Sequence, residues 1–238
     1  MKCIFCGYSG STKSVSHIVP ESLGGKHSPS ANSGVTCDSC NQYFGQKVES
    51  KALNSFPFIG FRVLSGVPTK KGKVSNFMGT AGRIFGTGKF GVVALEPLNK
   101  EIQSKVLSGE KTQFRVIAEV TEPLPVCRLL IKMGLEQLGS HFHEVAISER
   151  MNAARDFARR PKRGSSWWFI LRSNPEELFN ESSAKFESAI EIAEHQGILM
   201  ATLKLPGIST ITPLESEVIP PNKSELAEPE YRIIWAQC

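Results

Sequence analysis

Two pairs of cysteines carry the first chemistry in this chain. Cys3 and Cys6 are two residues apart, as are Cys37 and Cys40, and thirty residues lie between the pairs. A turn with this spacing aims two thiolates at one point. Two such turns complete a tetrahedral shell, the closed arrangement of a structural zinc site. A closed shell leaves no position for a reactant, so this ion would fold the segment rather than catalyse. Disulfides or a redox pair are the competing uses of the motif. No charged and then apolar leader opens the chain, so a reducing cytoplasm is the expected compartment, and there metal is the better reading of these cysteines. Cys127 lies beside Val126, Leu129 and Leu130 and reads as a buried thiol.

The insert between the pairs reads His17-Ile18-Val19-Pro20-Glu21-Ser22-Leu23-Gly24-Gly25. Asn32 then stands five residues before Cys37, and Asn41 directly follows Cys40. A lone histidine beside two aliphatic residues is ordinarily structural. Its place between the knuckle halves, together with Asn32 and Asn41, sets this one apart. These stretches, with Cys37 to Phe44 read as C-x-x-C-N-x-x-F, resemble the HNH endonucleases of the His-Me finger (ββα-metal) superfamily. The resemblance is to the bacterial branch whose motif is held by two CxxC pairs, and it covers about residues 1–55, near a quarter of the chain.

The resemblance implies a β-hairpin and a helix around one divalent ion, Mg²⁺ or Mn²⁺. It makes His17 the general base, Asn32 the residue that pins the hairpin loop, and Asn41 the ligand that the helix gives to the ion. The catalytic set is therefore His17, Asn32 and Asn41, beside a structural Zn²⁺ on the four cysteines. The family commonly places Asp or Glu just before the histidine as a second ligand. Here that residue is Ser16, a weak candidate for the ion. Two readings follow. In one, Asn41, phosphate oxygens and waters suffice and the chain hydrolyses DNA phosphodiesters, in a setting such as restriction or phage defence. In the other, the site is degenerate and the chain is a zinc-containing nucleic-acid-binding protein. Glu21, from the loop, and Glu49, two helical turns beyond Asn41, are carboxylates within reach of such an ion, or solvated surface groups. The expected substrate is double-stranded DNA, and a homodimer would supply two sites for cutting both strands.

Charge agrees with a polyanion. The net charge is +5, and no acidic residue lies between Glu49 and Glu96. The expected phosphate contacts are Lys26, Lys47, Arg62, Lys70, Lys71 and Lys73. Arg150, Arg155, Arg159, Arg160, Lys162 and Arg163 form a second basic cluster. It reads as a further DNA patch, a partner interface, or a solvated helix face with local ion pairs.

Elements must position these residues. Helical spacing predicts helices over 38–53, 126–142, 148–160 (capped by Ser148, stopped by Pro161) and 179–195. Strands are expected over 113–120, 167–171, 198–205 and 231–236, with loops and short strands over 55–91. Trp167 and Trp168 read as core residues. The fold class is α+β. A small N-terminal zinc-clasped ββα-metal (HNH) domain, residues 1–55, precedes a larger mixed α+β domain, residues 56–238, whose role the sequence leaves open. With 40% hydrophobic and 21% charged residues the chain can bury a core, which excludes disorder throughout. No apolar run nears the ~18 residues of a membrane span.

Overall fold

A computed structural model describes residues 1–24, 28–68, 72–110, 113, 119–174, 177, 188–215, 218–222, 226 and 231–238. The cysteine-rich segment contains α1 (Glu21–Gly24), α2 (Asp38–Phe44) and α3 (Ser50–Leu53). A π-helical turn, Gly45–Glu49, joins α2 to α3, so 38–53 is one continuous helical run, as its spacing predicts. Its buried stripe is Cys40, Phe44, Val48 and Ala52, one residue every four. Asp38 in the first turn suits the positive end of the helix dipole.

Loops and short strands were expected next, but a helix comes first. α4 (Phe58–Ser65) buries Phe58, Phe61 and Val63 and ends at Gly66, whose φ of 69° is the left-handed cap geometry. The strands expected here follow as an antiparallel meander of β1 (Asn76–Gly79), β2 (Gly82–Gly86) and β3 (Val93–Pro97). The Asn99 side chain caps α5 (Lys100–Leu107) by accepting from the Ile102 N–H.

The centre of the molecule is α6 (Pro123–His141), which opens on proline, where a missing N–H costs nothing. After it come α7 (His143–Ile147), a 3₁₀ turn (Glu149–Met151) and α8 (Asn152–Arg159). Ser148 does not cap α8 with its side chain; its hydroxyl donates to the Val145 carbonyl instead. The rest is an antiparallel sheet of β4 (Ser166–Ser173), β5 (Ala189–His195), β6 (Ile198–Leu205), β7 (Ile208–Pro213) and β8 (Tyr231–Gln237), in the order β5-β6-β7-β4-β8. Trp167 and Trp168 point to opposite faces and both are buried. Trp167 packs on Phe157, and the Trp168 indole donates to the Val218 carbonyl.

The predicted helix over 179–195 is corrected. Residues 189–195 are strand β5, and 178–187 lie outside the described residues. Gln196 and Gly197, with φ of 53° and 81°, make the tight turn that folds β5 back on β6 and fixes the hairpin twist. Residues 114–118 of the predicted strand over 113–120 also lie outside the described residues.

α6 lies between the sheet and the cysteine segment and touches both closely. A Cβ on Gly134 would sit 2.5 Å from Ala201 Cβ in the sheet. One on Gly139 would sit 3.1 Å from Val35 Cγ1 and 3.2 Å from Ile4 Cγ2. One apolar core runs from Ile4, Val35 and Phe44 through Leu129 and Met133 to Phe169 and Leu203. Among the described residues no helix is long and apolar enough to cross a membrane.

Candidate active site and zinc centre

The four thiols of Cys3, Cys6, Cys37 and Cys40 converge, all within 4.8 Å of one another. Cys6 Sγ and Cys37 Sγ are 3.6 Å apart. Four thiolates around zinc at about 2.3 Å stand ~3.8 Å from each other, so the donor set and its spacing fit that ion. Backbone geometry shapes each turn: the Gly7 N–H closes on the Cys3 carbonyl at 2.8 Å, and the Cys37 N–H donates to Cys3 Sγ at 3.3 Å. The hydrogen bond from Cys40 pulls the Cys3 thiol down to about 4, while the same pairing pushes Cys40 up. Burial raises Cys37. One thiolate forms readily in this cluster and the next resists; a dication would supply the charge that lets four coexist.

His17 sits on a short hairpin. It bridges antiparallel to Ser30; the Ile18 N–H donates to the Pro29 carbonyl and the Ala31 N–H to the Ser16 carbonyl, each at 2.8 Å. Both imidazole nitrogens have partners. Nε2 lies 3.1 Å from Glu21 Oε1, and Nδ1 lies 3.2 Å from the Ser30 hydroxyl. His17 and Glu21 are each about a third exposed, so a substrate can reach them. Glu21 belongs to α1 at the end of the His-Ile-Val-Pro-Glu stretch, which returns its carboxylate to the ring.

Asn41 projects from the second turn of α2. Its Nδ2 donates to the Ser14 hydroxyl at 3.2 Å, and that hydroxyl donates to Asp38 Oδ1 at 2.6 Å. Asp38 also accepts the Lys13 and Ser14 N–H groups. These bonds, the Ser14 hydroxyl first, hold the Asp38 carboxyl below its ordinary range. The relay fixes the amide so that its nitrogen faces Ser14 and its oxygen faces away.

A hairpin with a central histidine, a following helix with Asn41, and two thiol turns clasping them are now in place. Residues 3–57 match the family model described as HNH endonuclease. This segment is an HNH domain. No curated protein and no solved structure matches the chain.

The floor of the HNH domain comes from outside it. Lys132 and Glu136, one turn apart on α6, are both wholly buried. Lys132 Nζ donates to the His17 carbonyl at 2.7 Å and lies 2.9 Å from Glu136 Oε2 and 3.1 Å from Glu49 Oε1. Glu136 Oε1 accepts from the Thr36 hydroxyl at 2.6 Å and the Ser16 hydroxyl at 2.8 Å. Burial raises the Glu136 carboxyl, and its two carboxylate neighbours raise Lys132 against the effect of burial. The sequence reading missed this network. Its signal was present as a Lys-x-x-x-Glu pair set among Leu129, Leu130, Ile131, Met133 and Leu135, where a charged pair needs a reason.

The network settles where several candidates stand. Ser16 is 2% exposed and turns its hydroxyl inward to Glu136. Glu49 is held by Lys132. Asn32 follows Ala31 at the end of the hairpin's second strand, and its Nδ2 donates to the Ser140 carbonyl at 2.6 Å, at the end of α6. Hard oxygen donors suit Mg²⁺ or Mn²⁺, and the Asn41 amide oxygen and the Glu21 carboxylate fit that chemistry.

Among the expected phosphate contacts, Lys47 and Lys73 are exposed, and Lys26, Lys70 and Lys71 lie outside the described residues. Arg62 is a correction. It is 6% exposed, and its guanidinium donates to the Leu53 carbonyl at 2.8 Å, satisfying the end of α3 rather than a phosphate. The second basic cluster is partly used inside the fold. Arg150 pairs with Glu215 at 2.6 Å, and Arg155 donates to the Ala146 carbonyl. Arg160, Lys162 and Arg163 are exposed. Tyr43, on α2, donates to the Arg159 carbonyl and accepts from Arg128, so α8 is also fastened to the HNH domain.

Proposed function

We propose that this chain is a divalent-metal-dependent HNH endonuclease that hydrolyses DNA phosphodiester bonds. The observation that carries the reading is His17, with one ring nitrogen 3.1 Å from a carboxylate and about a third exposed, within a segment of HNH family sequence. Glu21 accepts the Nε2 hydrogen and so leaves the lone pair on Nδ1. In the resting site the Ser30 hydroxyl donates to Nδ1; in the reaction a water takes that place. His17 removes a proton from this water as its oxygen bonds to phosphorus. The bond from phosphorus to the 3′ oxygen breaks, leaving a 5′-phosphate and, after protonation from solvent, a 3′-hydroxyl. Asn41 is the side chain that would hold Mg²⁺ or Mn²⁺, which when bound stabilises charge on the phosphoryl and the leaving oxygen, while Glu21 orients His17. The four cysteines hold zinc and take no part in the step.

DNA meets the protein through Lys47 and Lys73, with Lys26, Lys70 and Lys71 on the same electrostatic footing. Residues 1–55 form the nuclease domain and residues 56–238 the part that supports and directs it. A homodimer would bring two sites to a duplex, and restriction or phage defence is the setting such an activity suits.

Supercoiled plasmid tests the reading. Nicking or linearisation that needs Mg²⁺ or Mn²⁺, stops in EDTA and is lost in His17→Ala is the expected result. The second reading, a zinc-containing nucleic-acid-binding protein, is favoured by Ser16, which offers no carboxylate and gives its hydroxyl to buried Glu136. It predicts salt-dependent DNA binding with no cleavage in either metal.

A further inference from the structure

We propose that Lys132 and Glu136 of α6 are positioning residues for the HNH site, fixing the His17 strand relative to the helical run that bears Asn41. The catalytic part of this inference rests on the nuclease reading; the structural part does not. Lys132 Nζ donates to one backbone carbonyl and is ion-paired with two carboxylates, and so meets three different pieces of chain. Its partners are the His17 carbonyl on the hairpin, Glu49 on the run that continues from α2, and Glu136 on α6 itself. Glu136 then takes the residue before His17 and the residue before Cys37, through the Ser16 and Thr36 hydroxyls. The His17 strand, the turn before Cys37 and the helical run beyond Asn41 are thus tied to one buried pair.

Stability alone does not account for such a pair. Desolvating two charges can offset their attraction, and apolar side chains of similar volume often serve the fold as well. What apolar side chains cannot do is donate to the His17 carbonyl while accepting from Ser16 and Thr36. The hairpin has a single bridge, at His17 and Ser30, among the described residues, so the contacts from α6 place the His17 backbone while Glu21 and Ser30 orient its ring.

The test compares Lys132→Met with the double variant Lys132→Met, Glu136→Gln, in the full chain. Three readouts are taken: the thermal midpoint, amide hydrogen exchange, and plasmid cleavage across a Mg²⁺ titration. Lys132→Met is expected to lower the midpoint, because it strands two carboxylates. The double variant is expected to recover it. In that recovered protein the Ile18 and Ala31 amides should exchange at least about tenfold faster while those of β6 and β7 keep their protection. Cleavage at saturating Mg²⁺ should fall about tenfold or more, with the half-saturating Mg²⁺ concentration unchanged.

Parental exchange at Ile18 and Ala31 would overturn the proposal, as would parental cleavage in the double variant. A double variant that stays unfolded would overturn it too, since the pair would then serve the fold at large. If the parent cuts no DNA, the nuclease reading falls by itself and the exchange result still decides the coupling.

Discussion

Ser16 donates its hydroxyl hydrogen to Glu136 at 2.8 Å, across 120 positions of sequence, with both side chains out of solvent. The position that commonly carries an acidic ligand in HNH sequences therefore serves a buried contact with α6. Ser16→Asp is expected to place a second carboxylate against Glu136 and to cost about 3 kcal/mol or more in urea unfolding. It should not improve Mg²⁺ affinity. Ser16→Ala should cost only about 1–2 kcal/mol, the loss of one hydrogen bond to a charged acceptor. A Ser16→Asp protein as stable as the parent, with tighter Mg²⁺ use, would mean that this side chain turns toward the ion.

Glu21 separates two roles by kinetics. Its carboxylate lies against His17 Nε2. If it orients the imidazole, Glu21→Ala lowers the cleavage rate at saturating Mg²⁺ by roughly 10–100-fold with little change in the half-saturating concentration. That is the expected outcome. A rate that excess Mg²⁺ restores fully would instead make Glu21 chiefly a ligand.

Zinc is expected at about one equivalent per chain by elemental analysis. Cys37→Ser, or chelation, should remove it and unfold the cysteine-rich segment, because thiols alone cannot share four negative charges. Since α6 packs on Ile4 and Val35 through Gly139, the loss should also lower the midpoint followed by tryptophan fluorescence from the sheet. Fluorescence unfolding that ignores zinc would show the two parts to be uncoupled.

Asp38 gives a pH signature. Its carboxyl is held below its ordinary value of 3.8, first by the Ser14 hydroxyl and then by the Lys13 and Ser14 N–H groups. A depressed folded value means stabilisation that is full above 3.8 and is lost as pH falls through the lower folded value. The stability gap between the parent and Asp38→Ala should thus stay level from about pH 7 to pH 5 and close below about pH 3.8. Because Asp38 holds Ser14, and Ser14 holds Asn41, acid should also loosen the Asn41 amide, readable as a shift of its side-chain NMR signals. A gap that persists to lower pH would mean the carboxylate is not what anchors Ser14.

Local chemistry made part of this protein legible from its residues alone. The CxxC spacing specified a four-thiol centre, since a two-residue turn leaves the thiols few directions to point. The helical run over 38–53 was legible from Tyr43, Phe44, Val48 and Leu53 at irregular helical spacing, and the structure gives its buried stripe as Cys40, Phe44, Val48 and Ala52. Helix α6 and strands β4, β6 and β8 were readable for similar reasons. Where pattern and partner disagreed, the sequence misled. The stretch over 189–195 has the composition of a helix, and only pairing with β6 through the Gln196-Gly197 turn makes it a strand. Arg62 looks like a surface cation until the end of α3 is set beside it. The HNH residues could be named from the resemblance of their motif to that family, but the sequence could not place Glu21 on the His17 ring. Nor could it bring Lys132 and Glu136 beneath the hairpin from more than 100 residues away. Spacing along a chain encodes which groups a turn or helix presents together; which distant groups share a buried, low-dielectric space is decided only when the elements pack.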